Sequence, residues 1–245
     1  MKRIRVDWHI HTTLSPCGSL EMDPNTILRR AREEELNVIG ITDHNSTRQA
    51  RLIKMEEKDS GLFILAGAEI NTREEIHCLA FFDDYETLDV FQEYLDRHLP
   101  DIKNNPDYFG DQVVVDFQGN IRFEESRLLI SGIDQSLADV AHCVRELGGM
   151  FIPAHVNRKS YSLLSQLGFI PDDLKAEALE WCPDSALNVM ELAARKASKF
   201  TEICSSDAHY PSHIGQRYTE MEVEEVTFEG LRAALQSGIN VTCCE

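Results

Sequence analysis

An α/β barrel is the fold class this sequence predicts, and three observations predict it. Apolar runs of strand length alternate with amphipathic helical stretches along most of the chain, the pattern of successive βαβ units. Roughly seven such units fit into the 245 residues, which favours a barrel over an open sheet. No GxGxxG or P-loop follows any strand, so a nucleotide-binding doubly wound sheet has little support.

Taken in order, Ile4 and Val6 lead into Asp7-Trp8-His9-Ile10-His11, the end of a first strand. Side chains alternate along a strand, which places Asp7, His9 and His11 on one face and Val6, Trp8 and Ile10 on the other. A turn-rich loop with Pro16 and Gly18 follows, then a helix capped by Asp23 with Pro24 at its first position. Residues 37–42 form a short apolar strand ending in Asp43-His44, and Ser46 can cap the next helix, to about Lys58. Residues 61–66 and 76–82 read as strands, and 85–98 as a helix. The stretch 100–133 breaks the rhythm with Val113-Val114-Val115 and Arg122-Phe123 around Gln118-Gly119-Asn120, an inserted hairpin. A helix over 136–147, a strand over 150–154, helices over 161–168 and 171–178, and a strand at 179–181 come next. A helix over 184–197, a strand over 201–205, a helix over 228–237 and a strand at 239–242 complete the pattern.

Lys and Arg number 24 against 42 Asp and Glu, a formal net charge of −18. That surface disfavours long polyanions, so bulk nucleic acid is not an expected partner, while a small phosphorylated ligand stays open. No apolar run approaches the ~18 residues of a membrane span, and the first residues enter a strand pattern without a signal-peptide core. No membrane partner and a cytoplasmic location are the expectations. Seven scattered cysteines without CxxC spacing read as reduced thiols.

The regularity that points to chemistry is positional. His9, His11, His44, Glu69, His77, His155, Asp207 and His209 all fall at or near strand ends, and they include six of the nine histidines. In α/β barrels the C-terminal strand ends form one mouth, where groups from different strands converge. Singly, each has a plainer explanation: His77 a core histidine, Glu69 or Asp43 a cap, His155 a turn residue. Jointly they indicate metal.

The set Asp7-x-His9-x-His11, Thr42-Asp43-His44-Asn45, Gly67-x-Glu69, His77, Pro153-Ala154-His155 and Ser206-Asp207-x-His209 resembles the PHP (polymerase and histidinol phosphatase) domain family, in the family's order. The resemblance implies a distorted (β/α)7 TIM-like barrel, a single domain over 1–245 with an insertion at about 100–133. It also implies two or three divalent metal ions (Zn, Mn or Fe). His9, His11, Glu69 and Asp207 would hold one ion, His77 and His155 with a bridging Glu69 a second, and His44 and His209 a third. Asp7 and Asp43 would orient the neighbouring imidazoles. The implied activity is hydrolysis of a small phosphorylated substrate, a phosphomonoester or short nucleotide, through attack of a metal-bridging hydroxide. Asp207 and His209 are the catalytic candidates, with His209 or a metal-bound water protonating the leaving group. Arg158 and Lys159 are the substrate-binding candidates. An amidohydrolase-type enzyme and a non-catalytic metal-binding module are the alternatives. The chain departs from the family pattern after His11, where Cys17 or Glu21 stands in place of an Asp or His ligand.

Overall fold

The computed structural model describes residues 1–57, 59–183, 192–195 and 198–244. Its strands are β1 (Lys2–Ile10), β2 (Val38–Ile41), β3 (Phe63–Asn71), β4 (His77–Phe82), β5 (Val113–Val115), β6 (Ile121–Glu124), β7 (Met150–Pro153), β8 (Ala178–Glu180), β9 (Thr201–Ile203), β10 (Tyr218–Val223) and β11 (Thr242–Cys244). Seven of them form one curled sheet in the order β11-β10-β1-β2-β3-β4-β7. The parallel pair β8–β9 closes the gap. Val156 N donates to Glu180 O (2.8 Å), and past β9 His11 N donates to Ala208 O (2.9 Å). β1, β2, β3, β4, β7, β8 and β9 are thus the seven staves of a distorted barrel. β1 is long enough to pair with β10 in its first half and to meet Ala208 at its end.

Direction is where the barrel departs from simple parallel alternation. Only residues 72–76 separate β3 from β4, too few for a crossover helix, so β4 returns antiparallel. β4 also pairs antiparallel with β7. β10 is absent from the expected elements, although Thr219, Met221 and Val223 face inward in strict alternation. The closing strand lies at Thr242–Cys244, later than expected. Residues 171–178 are no helix: Leu174 N donates to Pro171 O in a turn that leads straight into β8. The inserted hairpin is present as the separate β5–β6 sheet. The helix expected over 184–197 lies largely outside the described residues, of which 192–195 are helical.

The helices are α1 (Pro24–Glu33), α2 (Arg48–Glu56), α3 (Tyr85–His98), α4 (Pro106–Phe109), α5 (Leu137–Glu146), α6 (Leu163–Leu167) and α7 (Phe228–Ser237). Asp23 caps α1, accepting from Asn25 N and Thr26 N. Ile27 and Ala31 of α1, Ile53 of α2, Phe91 and Leu95 of α3 and Val140 and Val144 of α5 pack in an outer layer. The inner cluster draws on all seven staves, Val6 and Trp8, Val38, Leu65, Phe81, Ile152, Ala178 and Ile203 among them, with Phe228 and Leu231 of α7 against it. The register of β1 slips between Asp7 and Ile10, so Trp8 packs inward while Ile10 joins the outer layer. The simple alternation expected of this strand does not hold through the slip. No helix among the described residues is long and apolar enough to cross a membrane.

Candidate metal centre

The eight expected donors meet at one end of the barrel. His9 is the last residue but one of β1 with His11 just beyond its end, His44 follows β2, Glu69 lies near the end of β3, His155 follows β7, and Asp207 and His209 follow β9. His77 arrives by another route: it is the first residue of β4, and the antiparallel return sets it beside Asn71 at the same mouth. Two donors turn inward from unusual backbone, His155 at φ 30° and Asp207 at φ 50°. Non-glycine residues with positive φ are uncommon and cluster where geometry serves a site.

Glu69 is the hub. Its Oε1 lies 2.7 Å from His77 Nδ1, 3.1 Å from His155 Nε2 and 3.4 Å from His9 Nε2. Its Oε2 lies 3.1 Å from His44 Nδ1 and 3.3 Å from His11 Nε2. Asp207 Oδ1 approaches His11 Nε2 at 3.1 Å and His9 Nε2 at 3.3 Å. One fully buried carboxylate therefore faces five imidazoles.

The outer contacts of the rings decide which nitrogens are left as donors. The proton on His9 Nδ1 is assigned by the 3.2 Å contact with Glu180 Oε2, and that on His11 Nδ1 by the 2.9 Å contact with Ser15 Oγ. This leaves lone pairs on both Nε2 atoms, which nonetheless stand 3.1 Å apart. Facing nitrogens with two carboxylates around them call for a cation between them, a proton in the metal-free chain or a metal ion in its place. His44 Nδ1 and His155 Nδ1 are moreover buried without a hydrogen bond. The donor set fits metal ions, with groups His9–His11–Glu69, His44–Glu69–His77 and His11–Cys17–His44–His209 each compact enough to hold one.

Protonation follows the same balance. Burial opposes charge on His11 most strongly, but Asp207 and Glu69 outweigh it and raise the ring to about 9. His9 is raised as well, burial being overcome by Asp207, Glu69 and Glu180. Burial works against the Glu69 carboxylate, yet His77, His9 and His44 hold it well below its usual range. Burial, and then the neighbouring His11, lower His209 to about 4. In the metal-free chain the His209 ring is therefore neutral at pH 7, whereas His11 is charged.

Asp7 and Asp43 touch no imidazole. Asp7 accepts from the backbone N–H groups of His9, Ser206 and Gly215, joining β1 to the Asp207 turn. Asp43 accepts from Thr12 N, Thr12 Oγ1 and Ser15 Oγ, and so reaches His11 only through Ser15. The residue that orients His9 directly is Glu180, buried at the end of β8, whose Oε2 also accepts from His155 N (2.8 Å). Its signal in the sequence was weak, a lone Glu in a three-residue strand. Tyr161, also unforeseen, stacks on His77 with ring centroids 4.9 Å apart.

Beside Asp207 and His209 opens a cleft of about 450 Å³ lined also by Cys17, Arg158, Tyr210, His213 and Arg217. Arg158 Nη1 pairs with Asp207 Oδ2 at 2.5 Å. Lys159, expected to act with it, is exposed and does not line this cleft. Glu21 is exposed and belongs to none of the donor groups; Cys17 does.

A barrel of seven irregular staves with a histidine–carboxylate mouth is the class of protein these features define. A family model described as PHP-associated matches residues 188–239. The uncharacterized protein YqxK of Bacillus subtilis is 25% identical over 271 residues, covering 96% of this chain and 62% of YqxK. The lesion-specific endonuclease PfuEndoQ of Pyrococcus furiosus superposes with a TM-score of 0.74 at 22% identity, over 99% of this chain and 58% of that one. An Endonuclease Q complex with a 27-mer duplex bearing an abasic lesion at the active site gives 0.71 at 22%, over 98% and 58%. A two-domain protein from Bacteroides vulgatus containing a predicted PHP-like metal-dependent phosphoesterase gives 0.57 at 15%, over 99% and 65%. The chain shares the barrel fold of these structures and carries a PHP-associated segment over 188–239, and it spans about three fifths of the length of YqxK and of both endonuclease chains.

The duplex complex overturns the expectation that bulk nucleic acid is no partner, because a barrel of this shape takes duplex DNA at its active site. A net charge sums over the whole surface, whereas a duplex meets one face with its own local balance.

Proposed function

We propose that the chain is a metal-dependent phosphoesterase acting on a nucleotide-sized phosphorylated group. The observation that carries this reading is the Glu69 hub, one carboxylate among five imidazoles, linked through Asp207 to a cleft that Asp207, His209 and Arg158 line. Metal ions held there would supply an activated water and neutralise charge developing at phosphorus. The first would take His9, His11, Glu69 and Asp207, and the second His77 and His155 with Glu69 shared. Ser15 and Glu180 fix the rings of His11 and His9, so their Nε2 atoms are aimed before any ligand arrives. Arg158 would hold the phosphate: its planar guanidinium suits bidentate contact with phosphate oxygens, and its partner Asp207 keeps it at the mouth. A cleft of about 450 Å³ accommodates one small phosphorylated molecule.

A second reading, favoured by the likeness to Endonuclease Q, applies the same chemistry to a DNA backbone, with one nucleotide drawn out of the stack into the cleft. One panel separates the two: metal-reconstituted protein against p-nitrophenyl phosphate, bis(p-nitrophenyl) phosphate, mononucleotides and a duplex with an abasic site. Hydrolysis of at least one, lost in Asp207→Asn, supports the proposal, and the substrate hydrolysed chooses between the readings. Fully metal-loaded protein inert on all four would refute both.

A further inference from the structure

We propose that Cys17 is a protein ligand of a third metal position, held together with His44 and His209, and that its thiolate makes this position selective for zinc. The inference rests on the metal-centre reading above and concerns a residue at which this chain departs from the family pattern.

The geometry brings the sulfur to the histidines. The ligand atoms of His11, Cys17, His44 and His209 all lie within 4.8 Å of one another. Donors at ~2.0–2.3 Å from a tetrahedral ion need no wider separation. The two loops that carry them are tied directly, Ser19 N donating to His209 O at 2.9 Å. Cys17 itself sits in a tight turn, closed by Gly18 N on Ser15 O at 2.9 Å, and a Cβ on Gly18 would meet Thr12 O at 2.5 Å. The turn is therefore held from both sides and presents its thiol at the mouth.

The histidines are set up to receive an ion. His209 Nδ1 is engaged with the carbonyl of Asp207 at 2.8 Å, which leaves Nε2 as the lone-pair nitrogen. His44 is buried, and its Nδ1, 3.1 Å from Glu69 Oε2, meets no hydrogen-bond geometry there. His11 Nε2 already faces Glu69 and Asp207, so the third position draws on Cys17, His44 and His209. Three protein donors leave a fourth coordination place for water or a phosphate oxygen, the arrangement of an open zinc site. A soft thiolate favours zinc over manganese or magnesium. Glu21, the other sequence candidate, joins no donor group, whereas Cys17, exposed like it, does.

Cobalt(II) reconstitution under anaerobic conditions tests this, with metal content read by mass spectrometry and ligation by absorption. The wild-type chain should show a thiolate-to-cobalt charge-transfer band in the near ultraviolet. Cys17→Ser should lose that band and one equivalent of metal per chain, while retaining the others. Cys17→Asp should recover the equivalent without the band, which excludes a folding defect as the cause. If Cys17→Ser keeps the wild-type band and stoichiometry, the inference is overturned while the metal centre stands. If the wild-type chain binds no metal, the metal-centre reading itself falls and takes the inference with it.

Discussion

Glu69 and Glu180 divide the work at the centre between holding and aiming. Glu69 meets five rings, whereas Glu180 touches only the outer nitrogen of His9 and the backbone of His155. Glu180→Gln preserves shape but replaces a charged acceptor, and outer-contact losses of this kind cost on the order of 10–100-fold in metal affinity. Competition with a chromogenic chelator should show that loss with the fold intact by circular dichroism. A second expectation concerns pH. Metal-free His11 titrates at about 9, so at pH 7 it carries a proton that an entering ion must displace. Apparent affinity should rise with pH up to about 9 and then level, with proton release visible by calorimetry in buffers of differing ionisation enthalpy. A pH-independent affinity would show that His11 is no ligand. The strand-end donors were legible because a histidine or carboxylate closing an apolar run is conspicuous. Glu180 was not, since nothing local distinguishes it from an exposed glutamate, and Lys159 was over-read because charge next to a site does not fix direction.

At the scale of elements, the run from β1 through α1 to β2 was readable from caps and apolar periodicity, and Asp23 caps α1 as its position suggests. Asp23→Ala should cost about 1 kcal/mol in urea unfolding. Strand direction was not readable, because periodicity carries no sign; the short 72–76 connection was the available clue to the antiparallel return of β4. That return brings the chain close at Gly67, where a Cβ would lie 1.9 Å from Ala80 O. Gly67→Ala should destabilise the protein by about 3 kcal/mol, read as a lower urea midpoint, and should weaken metal binding through the displacement of Glu69 two residues on. An unchanged midpoint would mean that β3 and β4 are not packed as described.

Over the whole molecule, the ring of seven staves explains how donors scattered from residue 9 to residue 209 share one mouth. Number and type of units were sufficient to anticipate the barrel; its closure was not, since it depends on β8–β9 and on the single bridge from Ala208 to β1. The global charge of −18 argues against a polyanion, yet Endonuclease Q, whose barrel this one resembles, takes a duplex substrate. The central claim is that this mouth hydrolyses phosphoesters by means of metal. The most direct measurement is the initial rate on bis(p-nitrophenyl) phosphate or an abasic duplex, before chelator treatment, after it, and after zinc or manganese is restored. The account predicts a rate abolished by stripping, recovered on reconstitution, and absent in Asp207→Asn. A rate indifferent to stripping, or fully loaded protein with no rate on either substrate, would contradict it.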